Sequence, residues 1–178
     1  MSNVNDELAE LLAEMKAYGE ANHVPIININ GLAVLEKAVA AKKPQRVLEI
    51  GTGIGYSTLY IAANAAPEVE IVSLELSEER AAEARAFVDR SPYGQQIRII
   101  TGDAGENIQK LTGSFDMVFI DAAKGQAVDQ LAKKHCHGLI LPFFAAEDPP
   151  FGMHFFTKKA ETAEQNLFRR SPQWVFYF

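Results

Sequence analysis

The stretch that most constrains this chain is Val47-Leu48-Glu49-Ile50-Gly51-Thr52-Gly53-Ile54-Gly55. An apolar run of the kind that fills a buried strand meets glycines at alternate positions, Gly51, Gly53 and Gly55. A helical pattern, Tyr56-Ser57-Thr58-Leu59-Tyr60-Ile61-Ala62-Ala63, follows at once. Strand, glycine turn and helix start together form a cradle in which backbone approaches a ligand closely. Spacing narrows the ligand. The dinucleotide fingerprint G-x-G-x-x-G needs glycine at position 56, where this chain has Tyr56, so an NAD-dependent oxidoreductase is disfavoured. What stands instead is Glu49-x-Gly51-x-Gly53-x-Gly55, an acid two places ahead of an alternating glycine run. The bland alternative is an ordinary tight strand-to-helix turn.

Length and composition set the frame around that loop. A chain of 178 residues makes one domain, 1–178, with enough length for a real core. A net charge of −6 argues against holding nucleic acid by bulk electrostatics, while leaving room for a local basic surface. The single cysteine, Cys136, excludes an intramolecular disulfide and fits a reducing cytoplasm. The acidic start, Met1 to Glu7, does not read as a secretory signal, and no run approaches the roughly 20 apolar residues of a membrane span. The expectation is a cytoplasmic protein with no membrane partner.

Helical and strand patterns alternate up to about residue 141. Leu8, Leu11, Leu12 and Met15 fall at helical spacing, Pro25 interrupts, and Leu32 to Ala41 reads as a second amphipathic helix. These make an N-terminal helical part, residues 1–45. Strands are expected at Arg46–Ile50, Val69–Leu76, Ile97–Thr101, Phe115–Ile120 and Gly138–Leu141. Helices are expected at Tyr56–Ala65, Ser77–Arg90, Ala104–Leu111 and Gln126–Lys134. Such alternation implies right-handed crossovers and a doubly wound, mostly parallel α/β sheet.

Ligands of open α/β sheets sit beyond the carboxyl ends of the strands, which selects the candidate residues. Glu49 and the glycines end the first strand. Glu75, 24 residues after Gly51, ends the second, where a carboxylate can accept from both hydroxyls of a ribose. Its alternative role is a surface acid favoured by a helix N-terminus. Gly102-Asp103-Ala104 ends the third, and Asp103 either reaches an adenine amino group or caps the helix from 104. Asp121-Ala122-Ala123-Lys124 ends the fourth, behind an apolar lead-in, Met117 to Ile120, that brings Asp121 to the rim.

With these residues in view, positions 24 to 126 resemble bacterial O-methyltransferases related to catechol and caffeoyl-CoA O-methyltransferases. The matching segments are Val24-Pro25-Ile26, Leu48 to Ser57, Glu75, Gly102-Asp103-Ala104 and Phe119-Ile120-Asp121-Ala122-Ala123-Lys124. The resemblance implies a Rossmann-like fold and S-adenosyl-L-methionine (SAM) as methyl donor, with 46–141 as the SAM-binding core. It implies that Glu49, Gly51, Gly53, Gly55, Tyr56, Ser57, Glu75, Asp103, Ala104 and Asp121 line the cofactor. It further implies that Asp121 ligates a divalent ion such as Mg2+ and that Lys124 sits near the acceptor hydroxyl. Asp121 could otherwise be a plain adenosine or loop contact, and Lys124 a solvated helix-start lysine. A cation held by carboxylates lowers the pKa of a chelated hydroxyl, and a nearby lysine of lowered pKa takes its proton. The acceptor expected is a small hydroxylated molecule. A hydroxylated tRNA uridine and a catalytically inactive SAM-binding remnant are the alternatives, and the family suggests a homodimer.

The resemblance ends in the tail, 142–178. The family follows its fifth strand with an Ala-Asp-Asn segment supplying two more metal ligands, whereas this chain continues Pro142-Phe143-Phe144-Ala145-Ala146-Glu147-Asp148. Eight of 11 phenylalanines and four of eight prolines lie beyond residue 141, and the family's closing antiparallel strands are not recognisable there. The C-terminal strands are therefore expected to be truncated or altered, and the Mg2+ site weak or lost, because Mg2+ needs anionic anchors. His135-Cys136-His137 does not make a zinc site, since adjacent side chains point apart. Loss of the metal half of the site and a shifted reading frame near 126–142 both account for such a tail. Its aromatic residues, Phe151, Phe155, Phe156, Trp174, Phe176 and Tyr177, would cover an open sheet edge.

Overall fold

The computed structural model describes residues 3–121, 135–142 and 156–157. Two helices, α1 (Asn3–Ala21) and α2 (Ile29–Lys42), precede the sheet. The α/β alternation then runs β1 (Arg46–Ile50), α3 (Tyr56–Asn64), β2 (Glu70–Glu75), α4 (Glu78–Val88), β3 (Ile97–Thr101), α5 (Ala104–Lys110), β4 (Phe115–Ile120), β5 (Cys136–Pro142) and β6 (Phe156–Thr157). The sheet order is β3-β2-β1-β4-β5-β6, parallel throughout except for β5 with β6. This is the doubly wound arrangement that the alternating pattern predicts, and the Rossmann-like fold that the resemblance implies. Direction of winding reverses between β1 and β4, which opens a crevice at their carboxyl ends.

Caps set the helix limits. Asn28 caps α2 by accepting from Gly31 N at 2.9 Å, and Lys43 ends it in a left-handed conformation, φ +47°. Ser77 accepts from Arg80 N at 3.3 Å and starts α4. Asp103 accepts from Glu106 N at 2.9 Å and starts α5. Each takes one of the amides that a helix start leaves unpaired.

The two-residue period of β1 sorts its side chains between the faces. Val47 joins the core formed with α1 to α4, including Leu35, Leu59, Ile71, Phe87 and Phe119. Leu48 and Ile50 face the other core, with Val72, Leu74, Ile108, Phe115 and Val118. Glu49 shares Val47's side, under α3, and its register partner Ser73 stands beside it on β2.

At the far edge the structure adds to the sequence-based expectation. Leu139 pairs with Thr157 and Ile140 with Phe156, antiparallel, so a short closing strand exists. Two residues carry no periodicity to read, because a backbone ladder needs no side-chain pattern. The expected helix at 126–134 and the tail aromatics, apart from the backbone of Phe156, lie outside the described residues.

Candidate active site

The glycine loop is held to β2 at successive residues. Gly51 N donates to Leu74 O at 2.9 Å and Gly53 N donates to Glu75 Oε2 at 2.8 Å. Gly55 N turns back to Thr52 O at 2.9 Å. All three glycines take left-handed angles, φ +95°, +56° and +86°, which side chains with a Cβ adopt at a penalty. Their surroundings differ. A Cβ on Gly55 would stand 3.1 Å from Val88 Cγ2, whereas one on Gly53 would meet no atom of the described residues within 4 Å. Gly55 thus serves helix packing, and Gly53 borders space that no described residue fills. Gly55 is also the N-cap of α3 and supplies no side-chain cap, so the positive end of that helix faces the loop.

Glu75 lies at the edge of this space. Its Oε2 accepts from Gly53 N, and its Oε1 accepts from Ser77 N at 3.0 Å. Two backbone donors therefore fix the carboxylate while each oxygen keeps lone-pair capacity for a ligand hydroxyl. The next residue, Leu76, is 73% exposed, one of two large hydrophobics so placed among the described residues. An apolar side chain beside an acid at this edge suits a flat aromatic base. Sequence reasoning missed it, because strand periodicity counted Leu76 as part of β2.

The other expected residues divide by burial. Tyr56 and Ser57 are buried at the start of α3, and burial pushes the Tyr56 hydroxyl far up, with Tyr60 beside it adding to the shift. Glu49 is 0% exposed. Its carboxylate meets the hydroxyls of Ser57, Thr58 and Ser73 rather than a cleft. Burial pushes its pKa up, and those hydrogen bonds oppose the shift. Asp103 is seen as the cap of α5, the second of its two expected roles, with Ala104 following as the first residue of that helix.

Asp121 sits just past β4, partly buried, and its N–H donates to Ile50 O at 2.8 Å, which extends the β1–β4 ladder by one residue. Burial first, and the charge of Glu49 second, push its carboxyl up to about 7. An acid of that kind takes up and gives up a proton near neutrality. Among the described residues no group of three or more His, Cys, Asp or Glu side chains is arranged to hold a metal ion. With Glu49 committed to hydroxyls, the described residues bring Asp121 alone to the expected cation position. That donor set does not fit a hard dication. Lys124, Glu147 and Asp148 lie outside the described residues.

A family profile described as O-methyltransferase matches residues 2–137. The chain belongs to this family. It is 35% identical over 119 residues to a catechol O-methyltransferase of Mycobacterium tuberculosis, covering 64% of this chain and 53% of that protein. A catechol O-methyltransferase of Niastella koreensis is 33% identical over 120 residues, covering 64% and 54%. The chain thus spans about half the length of these relatives. Among solved structures, an O-methyltransferase from Bacillus cereus in complex with SAH superposes with a TM-score of 0.69 at 28% identity, over 75% of this chain and 65% of that one. A cofactor-bound protein from MTB gives 0.69 at 31% identity, over 75% and 64%. The family match stops at 137, within the stretch where the sequence motifs run out. Among the described residues no helix is long and apolar enough to cross a membrane.

Proposed function

We propose that this chain binds SAM and transfers its methyl group to a hydroxyl of a small molecule. The observation that carries the reading is the space above Gly53, which no described residue fills within 4 Å, bordered by a carboxylate that two backbone amides hold in place. Glu75 would hold the ribose hydroxyls, Leu76 would lie against the adenine, and the first turn of α3 would face the amino-acid end of the cofactor. When bound, SAM supplies a methyl group activated for displacement by oxygen. The protein's part is to align that oxygen and manage its proton. Asp121 is assigned to the acceptor side of the crevice, with a carboxyl that titrates near neutrality, and Lys124 is assigned the role near the acceptor hydroxyl that the family resemblance implies.

The family relatives support a catechol-like acceptor, with a hydroxylated tRNA uridine as the alternative. A homodimer and a cytoplasmic location belong to the same reading. Thermal unfolding tests it first. S-adenosylhomocysteine, the product of methyl transfer, should raise the melting temperature, and NAD should not, because a ligand that binds only the folded state stabilises it. Stabilisation by NAD alone would refute the reading. Transfer of labelled methyl to a catechol then separates an active enzyme from a SAM-binding remnant.

A further inference from the structure

Beneath the glycine loop lies a polar layer to which the proposed reaction gives no task. Glu49 accepts from Ser57 Oγ at 2.6 Å through Oε1, and from Thr58 Oγ1 and Ser73 Oγ through Oε2, the latter at 2.6 Å. A fourth hydroxyl, Thr52 Oγ1, stands 2.6 Å from Ser73 Oγ. A hydroxyl carries one proton. With Glu49 ionised, Ser73 uses its proton on that carboxylate, and Thr52 is then the donor to Ser73. The direction of the chain is then set, from Thr52 through Ser73 to Glu49. All members are buried: Thr52 is 3% exposed, Ser57 5%, and Thr58, Ser73 and Glu49 0%.

Apolar residues of similar size would fill this volume without the desolvation penalty of a carboxylate and four hydroxyls. A fully satisfied polar network does something that an apolar patch does not: it admits one arrangement of its members. Here one member belongs to the loop itself. Gly51, Gly53 and Gly55 have more accessible conformations than any other residue type, so any side-chain anchor of the loop must come from the residues between them. Those residues are Ile54, buried in the core at 1% exposure, and Thr52.

We propose that Thr52 and Ser73 are positioning residues, which through Glu49 hold the glycine loop in the conformation that presents Gly53 and the start of α3 to SAM. The inference rests on the function proposed above. Ser73 and Glu75 share one face of β2, two residues apart. The loop is thereby fastened to that face twice, by the Thr52 hydroxyl on Ser73 and by the Gly53 amide on Glu75. Glu49, expected from the sequence to line the cofactor, becomes the anchor of this fastening.

Thr52→Val keeps the shape and removes the proton, Thr52→Ser keeps the proton, and Ser73→Ala removes the relay. Two readouts decide: affinity for S-adenosylhomocysteine by calorimetry, and hydrogen exchange of the Gly53 and Gly55 amides without ligand. Thr52→Val and Ser73→Ala should each weaken binding by about 3- to 10-fold, and speed exchange by a similar factor, the order of one hydrogen bond. Thr52→Ser should bind within about twofold of the unchanged chain. The double variant should lose no more than the larger single one, since both break the same link. A substitution that merely weakens the fold would lower the melting temperature and leave the affinity of folded protein untouched. Unchanged affinity and exchange in Thr52→Val overturns the proposal, as does an equal loss in Thr52→Ser, which would assign the effect to packing. Should Thr52→Val fail to fold, Ser73→Ala against Thr52→Ser carries the same comparison. If the unchanged chain binds no S-adenosylhomocysteine, the proposed function falls, while amide exchange still decides the positioning role.

Discussion

Alanine at Gly53 and alanine at Gly55 should injure this protein in different ways. Both glycines sit in the left-handed region, at φ +56° and +86°, where a residue with a Cβ loses about 1–2 kcal/mol. At Gly53 that is the penalty the described residues impose on the fold, because the new methyl would meet none of their atoms within 4 Å. At Gly55 the methyl would stand 3.1 Å from Val88 Cγ2 and 3.6 Å from Ala84 Cβ, which adds overpacking of roughly 1–3 kcal/mol. Gly55→Ala should therefore lose about 2–5 kcal/mol in urea unfolding, and Gly53→Ala about 1–2. Binding should rank the other way. The methyl at Gly53 enters the space assigned to the cofactor, and an overlap of roughly 1–3 kcal/mol corresponds to about a 5- to 150-fold loss of S-adenosylhomocysteine affinity. The assay pairs urea unfolding with calorimetric titration. A Gly53→Ala protein that binds as tightly as the unchanged chain would show that the cofactor does not occupy that space.

Glu75→Ala removes the carboxylate assigned to the ribose and should weaken S-adenosylhomocysteine binding by roughly 1–3 kcal/mol, read by calorimetry; unchanged affinity would place the ribose elsewhere. Asp121 has its pKa raised from 3.8 to about 7, by burial and then by Glu49. Between those values the folded state keeps a proton that the unfolded chain has released. Its contribution to stability is thus full below about pH 4 and lost as pH rises through about 7. Asp121→Asn should flatten that slope and stabilise the protein at pH 8 by at most on the order of 4 kcal/mol, at 1.36 kcal/mol per unit. An unchanged pH profile in chemical denaturation would show that the carboxyl is not so perturbed.

Much of this architecture is legible in the sequence because it is local. The strands at 46–50, 97–101 and 115–120 coincide with apolar runs between turn residues, and the glycine loop declares itself by spacing. Glu75 follows from strand length, since the acid that ends β2 must reach the same rim as the loop. What escaped is what depends on residues far apart. Nothing in Ser73 alone marks it, for its meaning comes from standing opposite Glu49 in parallel register. Thr52 passes as a spacer between glycines until its hydroxyl is seen on Ser73. Leu76 looks like the last apolar residue of a strand, yet it follows the strand and faces outward. The side on which Glu49 points was likewise hidden: its spacing before the glycines fits a ligand contact and a buried anchor equally well.

Sheet order has a consequence for how the crevice comes into being. Pairing of β1 with β2 joins Arg46 to Glu70, but pairing of β1 with β4 joins Val47 to Met117 across nearly three times as much chain. Closing the longer loop is entropically dearer by only about 1 kcal/mol, since that penalty grows with the logarithm of length. Synthesis, however, proceeds in one direction. By Thr101 the emerging chain already holds β1, β2 and β3, the strands on the Glu75 side of the glycine loop, whereas β4 follows and Asp121 comes 20 residues later. The two walls of the crevice are near equals in loop closure, and chain order gives the glycine-loop wall the head start.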